Sequence, residues 1–141
     1  SIIDLRTGAI LHNWRAHNGP ITKIKIFIDN NEYYLLTTST DNIIGLWHLN
    51  ISDIGAQLVS KYLGHNNSID IDIYQKNLYS ISGQKMAIAP LLQPFTDIKL
   101  IRHKLFPKTS LKTTSLITIN ILSLYQFIII GNSEGQLKIM Y

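Results

Sequence analysis

His17, Ser39 and Asp41 supply the residue types of a Ser-His-Asp acyl-transfer centre. There, a histidine takes the serine proton and a carboxylate holds the imidazole in the correct tautomer. Such a serine commonly sits on a strained Gly-x-Ser-x-Gly turn between strand and helix, and the chain has no such turn. Metal chemistry fares no better. His12, His48 and His103 show no spacing that puts two imidazoles on one strand face beside a carboxylate, and a metal site needs three or four convergent ligands. The absence of cysteine excludes thiolate-bound zinc and disulfides and mildly favours a reducing compartment. The glycine-flanked stretch Gly131-Asn132-Ser133-Glu134-Gly135 leads into a strand rather than a helix, so it is a turn and not a phosphate loop. No catalytic, cofactor or metal site is expected.

A different chemistry is offered by Lys99, Arg102, Lys104, Lys108 and Lys112, with His103 among them and Asp97 as the nearest acid. The segment reads either as a patch for an acidic protein, anionic lipid or nucleic acid, or as an outer strand whose lysines prevent edge-to-edge pairing. The second reading is preferred, because no aromatic residues interleave for base stacking. The formal charge of +4 permits anionic partners without demanding them. Two Asn-x-Ser tripeptides, at Asn50 and Asn66, are what chance supplies in a chain this rich in Asn and Ser.

The elements that must position these residues are strands. Ile21 to Phe27, Ile69 to Tyr74 and Leu116 to Ile121 alternate apolar and polar residues with β-branched side chains, the period of a β-strand. No window of a dozen residues carries a helical stripe. The apolar stretch Leu116 to Gly131 is too short and too polar to span a bilayer, and no signal peptide is visible. The three alternating strands begin 48 and 47 residues apart. Each precedes a second strand, a polar turn and a third strand: Ile43 to Trp47, Met86 to Ala89, and Gln136 to Met140. A more polar fourth strand is expected at Ala9 to Trp14, Leu58 to Leu63 and Asp97 to Leu105. Four short antiparallel strands per repeat describe a propeller blade.

The first repeat carries a specific resemblance. Asp4 to Ile21, with Ala16-His17 at the usual Gly-His position, resembles the junction between WD40 blades. Leu35 to His48 resembles the second and third strands, with Trp47-His48 where Trp-Asp is usual. The resemblance implies a structural hydrogen-bonded chain through His17, Ser39, Asp41 and Trp47, and therefore scaffolding rather than catalysis. It implies a partial network in the second repeat, through His65 and Ser82. In the third, Glu134 fills the turn position and Met140 the Trp position. Asn18, Gly19 and Thr40 fall on the loop face where that family usually contacts partners.

The expected architecture is all-β: WD40-like β-propeller blades of four antiparallel strands, in an incomplete set of about three. Residues 1–15 end a preceding blade, and 16–63, 64–105 and 106–141 follow as units of what is expected to be the C-terminal part of a larger protein. The expected role is a non-catalytic protein–protein interaction scaffold in an intracellular complex, cytoplasmic or nuclear, with further blades from the same or another chain. The alternatives are a propeller that associates with membrane or phosphoinositide, and the regulatory propeller of an enzyme whose catalytic domain lies elsewhere.

Overall fold

The computed structural model describes residues 1–63, 70–82, 85–92, 97–99, 101–104, 116–122 and 127–140. At 97, 99, 101–104, 116–118, 120 and 122 it describes the backbone alone. The described residues form strands and turns with no helix, so none is long and apolar enough to cross a membrane. The chain is all-β and built mainly of antiparallel sheets.

A short ribbon of β1 (Ile2–Ile3) and β2 (Ile10–His12) comes first. The first large sheet contains β3 (Ile21–Asp29), β4 (Glu32–Ser39), β5 (Ile44–Asn50) and β6 (Gly55–Leu63), paired in sequence order. The second contains β7 (Asp70–Tyr74), β8 (Asn77–Ser82) and β9 (Lys85–Pro90). Two short strands follow. β10 (Asp97–Lys99) returns to pair parallel with β6, and β11 (Ile101–Lys104) pairs antiparallel with β9. The third sheet is β12 (Leu116–Leu122), β13 (Phe127–Asn132) and β14 (Leu137–Met140). One strand was expected from Asp97 to Leu105; the described residues there form two, with β10 at the edge of one sheet and β11 at the edge of the next.

Two-residue loops close the first hairpins. Asn30 and Asn31 both have positive φ, as do Gln75 and Lys76, which fits the twist of the flanking strands. Asparagine tolerates that backbone region and Gln-Lys does so less readily. The second loop is tied down by its neighbours: the Lys76 carbonyl accepts from the Leu91 amide at 2.7 Å, and its ammonium lies 2.9 Å from Asp29.

Alternation sends adjacent residues to opposite faces. Leu36, Leu46, Ile44 and Tyr62 meet Ile71, Leu78, Ala87 and Ala89 between the first and second sheets. Ile81 and Met86 meet Ile119 and Ile130 between the second and third. Burying each such leucine or isoleucine contributes roughly 1.5–3 kcal/mol, so the two seams hold the stack. Tyr62 bolts the first seam at its outer end. The phenol is fully buried, donates to the Pro90 carbonyl at 3.0 Å, and burial pushes its pKa well above the ordinary value.

The inner ends of both seams are polar. Asp70 and Asp72 are 5% and 4% exposed, although a strand reading Asp-Ile-Asp-Ile suggests a solvated polar face. Asp70 accepts from its neighbour Ile71 N at 2.9 Å and from Ile119 N of the third sheet at 3.1 Å. Lys23 of the first sheet stands 3.0 Å away. Asp72 repeats the pattern with Ile73 N at 2.8 Å, Ile121 N at 2.6 Å and Lys25. Two carboxylates thus tie together the inner strands of three sheets.

Candidate functional site

The loop entering β3 and the turn after β4 converge at one end of the first sheet. Asp41 lies in that turn, and its carboxylate accepts from His17 Nδ1 at 3.1–3.2 Å, Asn18 N at 2.9 Å and Ile43 N at 3.1 Å. Burial pushes the Asp41 carboxyl pKa up. The two amides and the imidazole outweigh it and hold the group below its ordinary value of 3.8. With Nδ1–H given to Asp41, His17 Nε2 is left to accept from the Thr37 hydroxyl, 2.7 Å away. Thr37 Oγ1 in turn accepts the Trp47 indole N–H at 2.9 Å.

The hydroxyl in this chain belongs to Thr37, not to Ser39 as expected. Trp47 stands opposite Leu35 in the ladder, and Thr37 stands opposite Gly45. A Cβ at Gly45 would lie 2.7 Å from Trp47 Nε1 and 3.1 Å from Thr37 Oγ1. The missing side chain is what lets the indole lie across to Thr37. Ser39, two residues further along the same face, instead accepts from the Asp41 amide at 3.2 Å and steadies the turn. The cue was present in the sequence. Pairing Thr37 with Gly45 selects the threonine once the register is known.

The arrangement leaves no reactive group in reach. Thr37 is 1% exposed and its oxygen is engaged from both sides, while the His17 side chain is 2% exposed. Beside this network lies a depression of about 140 Å³, flanked by the exposed cations Arg15 and Lys61. Asn18 lines it and is exposed, Thr40 is exposed in the adjoining turn next to Asp41, and Gly19 packs under Thr40, where a Cβ would approach Thr40 Oγ1 to 2.6 Å. The structure therefore brings Asn18, Gly19 and Thr40 together on one loop face, above the network. On the same face of the sheet Trp47 packs with Leu35 and Leu49 against Trp14, whose ring stacks on His12.

The other expected sites lie in the second and third sheets and along their outer strands. Ser82 ends β8 opposite Lys85, while His65 lies outside the described residues. In the third sheet the turn is organised by Asn132 and not by the Glu134 side chain. Asn132 Oδ1 accepts from Glu134 N at 3.1 Å and Gln136 N at 2.9 Å. Of the basic residues, Lys99 lies on β10, and Arg102 and Lys104 on β11, at the outer edges of two sheets. Lys108 and Lys112 lie outside the described residues. Sequence reasoning missed Asp70 and Asp72. Their signal was the pair Lys23-x-Lys25, which precedes Asp70-x-Asp72 by one repeat length.

The site defines a class: a stack of small β-sheets with a buried polar network pinning a loop face. No family model matches the chain. It is similar to Protein GFS12 of Arabidopsis thaliana, with 27% identity over 146 residues. It is also similar to the Probable inactive serine/threonine-protein kinase lvsG of Dictyostelium discoideum, with 25% identity over 149 residues. These matches cover 98% and 99% of this chain but 9% and 6% of those proteins, so the chain spans less than a tenth of either relative.

Proposed function

We propose that this chain is a run of about three WD40-like propeller blades that serves as a non-catalytic protein–protein interaction scaffold. The observation that carries the reading is the His17–Asp41–Thr37–Trp47 network. Its groups are buried and mutually satisfied, and their effect is to hold the loop face bearing Asn18, Gly19 and Thr40 in one conformation. A preorganised face binds with less ordering cost than a mobile one. The consecutive antiparallel order of β3 to β6, which β10 extends to a fifth strand, and the four antiparallel strands β7, β8, β9 and β11 of the second sheet support the blade assignment. The small fraction of each relative that is matched supports a place within a longer polypeptide. Such a scaffold would work in an intracellular multiprotein complex, cytoplasmic or nuclear.

The test is co-purification of the natural polypeptide carrying Asn18→Arg and Thr40→Arg, against the unaltered protein. Loss of a defined partner with unchanged thermal stability supports the scaffold. Retention of every partner removes this face as the contact surface. Charge reversal at Lys99, Arg102 and Lys104 separates the membrane alternative, which requires liposome binding that disappears with the reversal.

A further inference from the structure

The inner strands β3, β7 and β12 share a pattern of unpaired amides. In an antiparallel hairpin closed by a two-residue loop, the closing pair exchanges hydrogen bonds, and the residue next to it on each strand, with every second residue beyond, points its amide away from the partner strand. For β7 the closing pair is Tyr74 and Asn77, so Ile73 N and Ile71 N face the open edge. Those are the amides capped by Asp72 and Asp70. On β12 the corresponding Ile119 N and Ile121 N are capped by the same two carboxylates, reaching forward from the preceding sheet. For β3 the closing pair is Asp29 and Glu32, and the count places Ile28 N, Ile26 N and Ile24 N on the open edge. The residues before Ile26 and Ile24 are Lys25 and Lys23, which can only donate. Among the described residues no acceptor stands against the amides of Ile24 and Ile26.

The surrounding face is apolar and open. Ile24, Ile26 and Ile28 are 54%, 59% and 61% exposed, and Tyr33 41%. A cleft of about 210 Å³ beside them is lined by Ile2, Trp14, Ile24, Ile26, Leu35 and Leu49. Apolar area of this extent on one sheet face marks an interaction site.

We propose that this face docks a β-sheet whose inner strand carries two acidic residues separated by one position, their carboxylates capping Ile24 N and Ile26 N. The occupant offers to β3 what β7 offers to β12, and its apolar side chains cover Ile24, Ile26 and Ile28. The spacing follows from the strand period: alternate residues share one side, and the two amides lie two residues apart. A strand with lysines or apolar residues at those two positions would cover the isoleucines but leave two edge amides unpaired, and neutral acceptors would cap them without charge assistance, so the carboxylates set which sheet docks and at what height. This rests on the reading of the chain as stacked blades.

The test uses the intact natural polypeptide with Tyr33→p-benzoylphenylalanine, photo-crosslinked and mapped by mass spectrometry. Residue-resolved amide exchange at Ile24 and Ile26 is measured on the unmodified protein. The expected result is a crosslink beside a strand with acidic residues two apart, and protection at Ile24 and Ile26 like that at Ile119 and Ile121. Changing those two acids to asparagine should then speed exchange at Ile24 and Ile26 about tenfold or more, the loss of a charge-assisted bond. A crosslink to a sheet lacking such a pair overturns the acidic key while leaving stacked blades intact. Free exchange at both amides with no crosslink overturns the docking and the stacked-blade reading together.

Discussion

Replacing Asp41 with alanine removes an acceptor that three donors share. Their fates differ. The Asn18 amide is exposed and recovers a water, so its loss costs little. The Ile43 amide is half-buried and loses about 0.5–1.5 kcal/mol. The His17 side chain is 2% exposed, and its Nδ1–H has nowhere to turn, a desolvation cost of about 1–3 kcal/mol. The sum is about 1.5–4.5 kcal/mol, or roughly 10- to 1,600-fold in local opening. Native-state hydrogen exchange in the intact polypeptide, followed in segments covering residues 14–18 and 37–47, reads this directly. Two substitutions in the third sheet serve as comparators. Glu134→Ala should stay within about 0.5 kcal/mol, as an exposed side chain. Asn132→Ala should cost about 1–2 kcal/mol, because its carbonyl holds the amides of Glu134 and Gln136. Equal effects of Asp41→Ala and Glu134→Ala would refute the claim that the His17 network is what holds the first sheet's loops.

Thr37→Val keeps shape but removes the link between His17 and Trp47, so it should destabilise the first sheet by about 1–3 kcal/mol. Ser39→Ala, which loses one turn bond, should cost about 1 kcal/mol; denaturant titration that reverses this order would restore Ser39 to the network. Gly45→Ala should push the indole off Thr37 and cost about 1–3 kcal/mol by overpacking, visible as a shift in tryptophan fluorescence. The Asp41 carboxyl is held below 3.8 in the folded protein, so its contribution is present above that value and lost as pH falls through the lower folded one. Exchange rates of the unaltered protein and Asp41→Asn should therefore differ at pH 5 and converge only below about 3.8; convergence already at pH 5 would show that the carboxylate is not so stabilised. Residues 1–141 expressed alone should aggregate, because Ile24, Ile26 and Ile28 at one end and Leu137 and Ile139 at the other are exposed. A monodisperse monomer by sizing would contradict that.

Much of the architecture is legible from alternation alone. Ile21 to Phe27 and Leu116 to Ile121 alternate as strands do, and their spacing implied repetition. Alternation fixes which residues share a face but not which partner a hydroxyl selects, which is why Ser39 was expected where Thr37 stands. The choice depends on the β4–β5 register, which pairs Thr38 with Ile44 and Thr37 with Gly45, across a turn in which Asn42 takes a positive φ. The division of Asp97 to Lys104 between two sheets was illegible for a related reason. Three or four residues carry too little periodicity to show that a strand ends and another begins.

Asp70 and Asp72 expose a deeper limit of pattern reading. Period-2 reasoning divides a strand into an inward and an outward face, and it assigns aspartate to the outward one. A strand also has edges, and the inner edge of each of these sheets presents amides without a neighbouring strand. An unpaired buried amide costs about 1–3 kcal/mol, and a carboxylate that accepts from two such amides offsets its own desolvation with charge-assisted bonds. The half-exposed Lys23 and Lys25 add less, since solvent screens them. Burial of the aspartates is therefore decided by the edge rather than by the face. The lysines one repeat earlier mark the position at which the first sheet has given up that acceptor and must obtain it from its neighbour.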